Sequence, residues 1–285
     1  MRDARSSPRS STASADERTD QILLSCAMYG NGTTHEQGAL RGGNGICRGR
    51  GLRLDDEMAF TVATPEALHA QISAADGVTL EELQKLLDEF ATSDISDADL
   101  LAYREGRKPW KKLRDEVAPV ANFLTAAGYA PNSRIRFPLD DEPPDAWVTL
   151  GAGPPTGIEV TGALARARIE VAKTLANGEP VPGFIALPDN AKQSAFDEAR
   201  VRKRVMHSRR AVDGAIDAAI NERLAGKNKE KYVNQILLIT APIGSSPNRS
   251  AEDLRSAHAE KAAALPFAQV FVIDGSRGSL LVRLK

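Results

Sequence analysis

The chain has 285 residues, 42% hydrophobic and 26% charged, with a net charge of −1. That balance suits a globular protein of one or two domains and gives no global attraction for nucleic acid, so any phosphate-binding surface has to be a local patch. No apolar run reaches the roughly 18 residues of a membrane span, the first residues lack the apolar core of a secretory signal, and two cysteines are too few for a disulfide framework. The expected location is the cytoplasm.

Residues 1–57 are rich in Ser, Arg, Gly and Thr, with Gly30-Asn31-Gly32 and Gly42-Gly43-Asn44-Gly45 as breakers, and read as a largely disordered leader. Only residues 21–29 are apolar enough to order themselves. Met58, which opens the first well-patterned stretch, is a second candidate start. Cys26 and Cys47 together with His35 match no zinc-ligand spacing.

Residues 58–106 carry helical signals and are expected to form a small helical appendage. Thr64-Pro65-Glu66 reads as an N-cap with proline at the first helical position. Thr79-Leu80-Glu81-Glu82 reads as a capping box, followed by an apolar stripe of Leu80, Leu83, Leu86, Leu87 and Phe90. Ser96 caps a third helix. Basic residues then surround Trp110, and an apolar helix follows through Val117, Val120, Phe123 and Leu124, with Pro119 limiting its regular part and Gly128 ending it.

Residues 133–139 alternate polar and apolar and read as a strand that ends near Pro138. Residues 144–150 and 157–161 are two short apolar runs flanking Gly151-Ala152-Gly153-Pro154-Pro155-Thr156, the signature of a hairpin. Asp145 stands at the mouth of the first strand and Glu159 in the middle of the second. Antiparallel pairing could bring both carboxylates to one end of the sheet, and Mg²⁺ is commonly held by one or two carboxylates plus water and a substrate phosphate.

Further on, 163–177 reads as a helix, 183–188 as a short strand or extended segment, and 195–224 as one long helix with Val201, Val205, Val212, Ile216, Ile220 and Leu224 on its buried face. Residues 235–240 form a continuous apolar strand of the kind buried on both faces. A helix over 251–265 and strands over 268–274 and 279–284 complete the order. Arg202, Lys203, Arg209 and Arg210, with Arg200 and Arg204 beside them, make a basic stripe that either tracks phosphates or is a solvated helix face. Lys227, Lys229, Lys231 and Tyr232 precede the buried strand and either aim at the active end of the sheet or cap the helix before it. Histidines 35, 69, 207 and 258 form no spaced pair, and no P-loop or Rossmann glycine fingerprint is present.

Pro144-Asp145, the hairpin and Glu159-Val160-Thr161 resemble the active-site signature of the PD-(D/E)xK, restriction-endonuclease-like nuclease superfamily. The resemblance covers about residues 106–285, and its sharp part spans about twenty of them. It implies an α/β, restriction-endonuclease-like domain over 107–285 with a mixed central sheet flanked by helices, carrying the N-terminal helical appendage. By the same resemblance Asp145 and Glu159 would be catalytic metal ligands for Mg²⁺ (or Mn²⁺), and the activity would be endonucleolytic hydrolysis of DNA phosphodiester bonds. Thr161 stands where the family has a catalytic Lys. Arg166, Arg168 and Lys173 on the following helix are candidate replacements, and Glu116 lies where the family often has a further acid. The expected partner is DNA, with nucleic-acid contacts at Arg202, Lys203, Arg209, Arg210 and Lys231. A homodimer is an open assembly, and no membrane is involved. The alternative is a non-catalytic nucleic-acid-binding or protein-interaction module that kept the fold after losing the Lys; a structural or accessory protein would oligomerise without binding metal.

Overall fold

The structure is a computed structural model that describes residues 64–93, 96–201, 207–246, 248–275 and 280–285. The leader, Met58, His35, both cysteines, Arg202 and Lys203 lie outside the described residues. The order is α1 (Pro65–Ile72), β1 (Val78–Thr79), α2 (Leu80–Thr92), α3 (Asp97–Glu105), α4 (Trp110–Lys112), a π-helical turn (Leu113–Val117), α5 (Ala118–Ala126), β2 (Arg134–Arg136), β3 (Ala146–Thr149), β4 (Thr156–Gly162), α6 (Ala165–Ala176), α7 (Gln193–Val201), α8 (Arg209–Gly226), β5 (Ile236–Thr240), α9 (Ala251–Ala263), β6 (Gln269–Ile273) and β7 (Leu281–Arg283).

Local chemistry sets most of these boundaries. Thr64 caps α1 by accepting from the Ala67 N–H, and Thr79 and Glu82 close a reciprocal capping box on α2. Pro119 lies two residues after the π-helical turn, within a helical run that continues from Trp110 into α5. One expectation is corrected. Residues 195–224 are not one helix: Ser208 is extended and caps α8 through the Ala211 N–H, so a new helix starts where periodicity alone would run on. Of the two readings for 183–188 the extended segment is the one found, and of residues 133–139 only Arg134–Arg136 pair in the sheet.

The seven strands lie in chain order, and the sheet is mixed. β1 to β4 form an antiparallel meander, β4, β5 and β6 run parallel, and β7 returns antiparallel to β6. Parallel neighbours need long crossovers. These are α6–α8 between β4 and β5, and α9 between β5 and β6.

Two cores form, one on each face. On one face α1, α2 and α5 pack against Ile135, Val148, Ile158, Ile236 and Leu238. On the other, α6, α8 and α9 pack against Leu237, Ile239, Val270 and Val272. β5 therefore sends alternate side chains into both, which is why its sequence is apolar without a break. The result is an α/β fold with a seven-stranded mixed sheet flanked by helices. No described helix is long and apolar enough to cross a membrane.

Phe123 of α5 is fully buried and meets Phe271 of β6 at 4.9 Å between ring centroids and Tyr129 at 6.0 Å. Truncating such a ring removes its transfer free energy and leaves a cavity. Phe123→Ala should cost about 3–5 kcal/mol in a denaturant titration.

Candidate functional site

Strand pairing puts Asp145 and Glu159 together. Ala146 lies opposite Ile158 and Trp147 opposite Gly157. Asp145 stands one residue before β3, at the end where Ala146 meets Ile158, and the charge of Glu159 acts on it. The Val160 N–H donates to Asp145 Oδ2 at 2.7 Å and fixes the carboxylate against β4. Gly157 permits the approach, because a Cβ there would stand 2.9 Å from Pro144 Cγ and 3.1 Å from Gln235 Cγ.

A lysine does reach the pair, from an element that the motif spacing does not point to. Lys227, at the C-terminal cap of α8, donates from Nζ to Glu159 Oε1 in a short ion pair, and lies 3.4 Å from the Tyr232 hydroxyl. Tyr232 stacks on Phe267 with centroids 5.0 Å apart, so the lysine rests on a packed aromatic floor. Burial works against the Lys227 ammonium, but the hydrogen bond and charge of Glu159 outweigh it, and its pKa is raised.

A second acid–base pair enters from the helical layer. Glu116, on the π-helical turn, is buried and pairs with Lys112 at 3.0 Å; Lys112 also donates to the Asp140 carbonyl at 2.6 Å and lies 3.5 Å from Asp141. Burial, and after it the charge of Asp145, pushes the Glu116 carboxyl up to about 7. Burial, and after it the charge of Glu159, pushes Asp145 up to about 6, against the pull of the Val160 N–H, Lys112 and Lys227. Three carboxylates thus face two ammonium groups. Glu116 Oε2 and Glu159 Oε2 are buried without a hydrogen-bond partner among the described residues. A shortage of positive charge and two orphaned acceptor oxygens fit a cation held by Asp145 and Glu159, although among the described residues no group of three or more His, Cys, Asp and Glu side chains is arranged to hold a metal.

A cleft of about 580 Å³ opens next to the acids, lined by Glu116 and by Val160, Thr161 and Gly162 at the end of β4. Six arginine and lysine side chains line it against three carboxylates, so its field favours an anion. Most of the cations are engaged: Arg166 donates to the Asp189 and Ala191 carbonyls and to Gln193, and Arg223 pairs with Asp189 at 2.5 Å.

The other sequence candidates are distributed as follows. Thr161 faces this cleft without a cation of its own. Lys173 pairs with Glu170 at 3.4 Å, and Arg168 lies against Gly275, so neither these nor Arg166 meets the two acids. Arg209 and Arg210 begin α8 while Lys227 ends it, about 27 Å away for 18 residues. Arg209 is occupied with Asp213 and the Asn248 carbonyl. Lys231 is exposed, with its ammonium 5.1 Å from the Tyr232 ring centre. Sequence reading passed over Lys112, whose signal was its i,i+4 spacing from Glu116.

The chain matches no family model, no curated protein and no solved structure.

Two outcomes follow. Lys227→Met strands a buried carboxylate and should cost about 3–5 kcal/mol, while the double change Lys227→Met/Glu159→Gln should recover most of it; denaturant titration of the two single variants and the double closes the cycle. Glu116 has a folded pKa of about 7 against an ordinary 4.5, so the folded state keeps its proton longer than the unfolded one. Wild type should therefore lose stability relative to Glu116→Gln as pH rises from about 4.5 to about 7, with no further change above; thermal melts in chelator check this.

Proposed function

We propose that the chain is a Mg²⁺-dependent endonuclease of the restriction-endonuclease-like type, hydrolysing DNA phosphodiester bonds through Asp145, Glu159 and Lys227. The observation that carries the reading is the Lys227 ammonium on the Glu159 carboxylate, beside Asp145. Two acids and a lysine meet although position 161 is threonine. The order from α5 to β5, a helix, three strands, the helical crossover α6–α8 and a strand, supports the same reading.

Asp145 and Glu159 would hold the ion, which when bound polarises a phosphoryl oxygen and lowers the pKa of its water. The chain's own groups do the rest. The Val160 N–H holds Asp145 in place, and the raised pKa of Lys227 keeps its ammonium charged where negative charge builds on the phosphate. Lys112 neutralises the Glu116 side of the site, and the cationic cleft draws the polyanion towards it.

A second reading has its own observation. Lys227 already neutralises Glu159 as the cation of the pair, so a non-catalytic nucleic-acid-binding module would keep this arrangement as a structural ion pair.

Plasmid and single-strand cleavage with Mg²⁺ or Mn²⁺ separates the two. Wild type should cut, Asp145→Asn and Glu159→Gln should lose at least about 1,000-fold, and Lys227→Met about 100-fold, the scale expected when a transition-state charge contact is removed. Salt-sensitive DNA binding without cutting would favour the module instead.

A further inference from the structure

We infer that the face of β2 and β3 beside the two acids is a stacking platform for an unpaired nucleotide, so that the substrate is single-stranded nucleic acid or a duplex with a displaced strand. The inference rests on the nuclease reading only for the word substrate; the platform stands on its own observations.

Ile135, Ala146 and Val148 point into the core made with the N-terminal helices. Alternation along the strands therefore sends Arg134, Arg136, Trp147 and Thr149 to the opposite face, with Arg136 paired to Trp147 and Arg134 to Thr149 across the ladder. That face is covered by α6, α8 and α9 over β5 to β7, and the core there takes no side chain from β2, β3 or β4. A hollow of about 390 Å³ lies on it instead, walled by Trp147, Arg134, Arg136, Thr149, Asp76 and Pro155.

Two groups in this hollow, Trp147 and Arg136, are unspent. Among the described residues Trp147 makes no ring contact and its indole N–H no hydrogen bond, whereas the other tryptophan, Trp110, packs on Phe90 and Tyr103 and donates to Asp99. Among the described residues Arg136 has no carboxylate or hydrogen-bond partner, while Arg134 donates to the Asp76 carbonyl at 3.1 Å and its charge acts on Glu82. An accessible indole flanked by arginines on a strand face is the combination that binds single strands: the ring stacks a base and the guanidinium groups meet phosphates. A duplex hides its base faces and cannot use the ring.

Spacing ties the platform to the acids. Asp145 and Trp147 are two residues apart at the start of β3, about 6.6 Å of extended chain. One nucleotide of an extended strand bridges that distance, so a base on Trp147 sets an adjoining phosphate at Asp145 and Glu159.

Intrinsic fluorescence tests this on the full chain in EDTA, where metal-dependent cutting is silent. The chain has two tryptophans; Trp110, at 3% exposure, is shielded from ligand and reports the fold, so a ligand-induced quench belongs to Trp147. An oligothymidylate should quench the emission, and a blunt duplex should bind more weakly and quench little. Trp147→Phe should remove the quench and keep most of the affinity measured by anisotropy. Trp147→Ala should weaken binding about 10-fold or more, and Arg136→Gln should lower the salt slope by about one. Equal binding of single strand and duplex, no quench, or full affinity in both Trp147→Ala and Arg136→Gln would overturn the platform. Mg²⁺-dependent cutting alongside any of those results would leave the nuclease standing without it. Quenching by oligothymidylate in a protein that never cuts would support the platform and remove the nuclease. Concentration-dependent self-association lost in Trp147→Ala, with no response to oligonucleotide, would assign the face to a second copy.

Discussion

A carboxylate buried in the middle of a sheet has to be met by a cation, and Glu159 sets that condition for the rest of the molecule. Removing an ionised carboxylate from water costs several kcal/mol unless another charge and hydrogen bonds compensate. Lys227 supplies the charge from the far end of the β4–β5 crossover, 68 residues along the chain. The requirement reaches outward from there. Lys227 can sit at Glu159 only if α8 ends level with the start of β5, and the 3₁₀ turn at Glu230–Tyr232 that follows brings Tyr232 under the ammonium and onto Phe267. One ion pair thus fixes the end of a helix, a turn and an aromatic stack against the sheet.

The charges around that pair do not cancel. Among the described residues Glu159 Oε2 and Glu116 Oε2 have no donor, as is true also of Glu170 Oε2 outside the site. The wide turn at Leu113–Val117 is what places Glu116 towards Asp145 while keeping Lys112 on it. π-helical turns distort hydrogen-bonding and recur at functional sites, where a side chain has to be re-aimed at a local cost. A core serving stability alone would exclude the second acid, since it raises the pKa of its neighbour without forming a bond to it.

Signals that act within one turn of chain were legible in the sequence. The cap at Thr64, the box at Thr79 and Glu82, the apolar run of β5 and the hairpin around Gly151 each encode their element locally, and the element order followed. Pro144-Asp145 and Glu159 could be paired because a hairpin is a short-range object whose register follows from alternation. Lys227 could not be assigned, because its partner is set by which helix end a parallel crossover delivers to β4. The long helix over 195–224 failed for a related reason. Its apolar repeat continues through a break that Ser208 imposes with one side-chain hydrogen bond, and periodicity does not register such a bond.

β4 runs along the border between the covered and the open half of one sheet face. On that face its successive outward positions are Gly157, Glu159 and Thr161. Gly157 lies opposite the accessible Trp147, Glu159 lies under Lys227, and Thr161 lines the cationic cleft. Helices α6, α8 and α9 bury the far side of this line, which lowers the local dielectric and strengthens every charge contact there. The uncovered strands β2 and β3 leave the near side within reach of a large ligand. Buried carboxylates are of use to chemistry only where a substrate can touch them. A fully covered sheet would hide Asp145 and Glu159, and a fully open one would hydrate them. The half-covered face gives them both a dry wall and an approach.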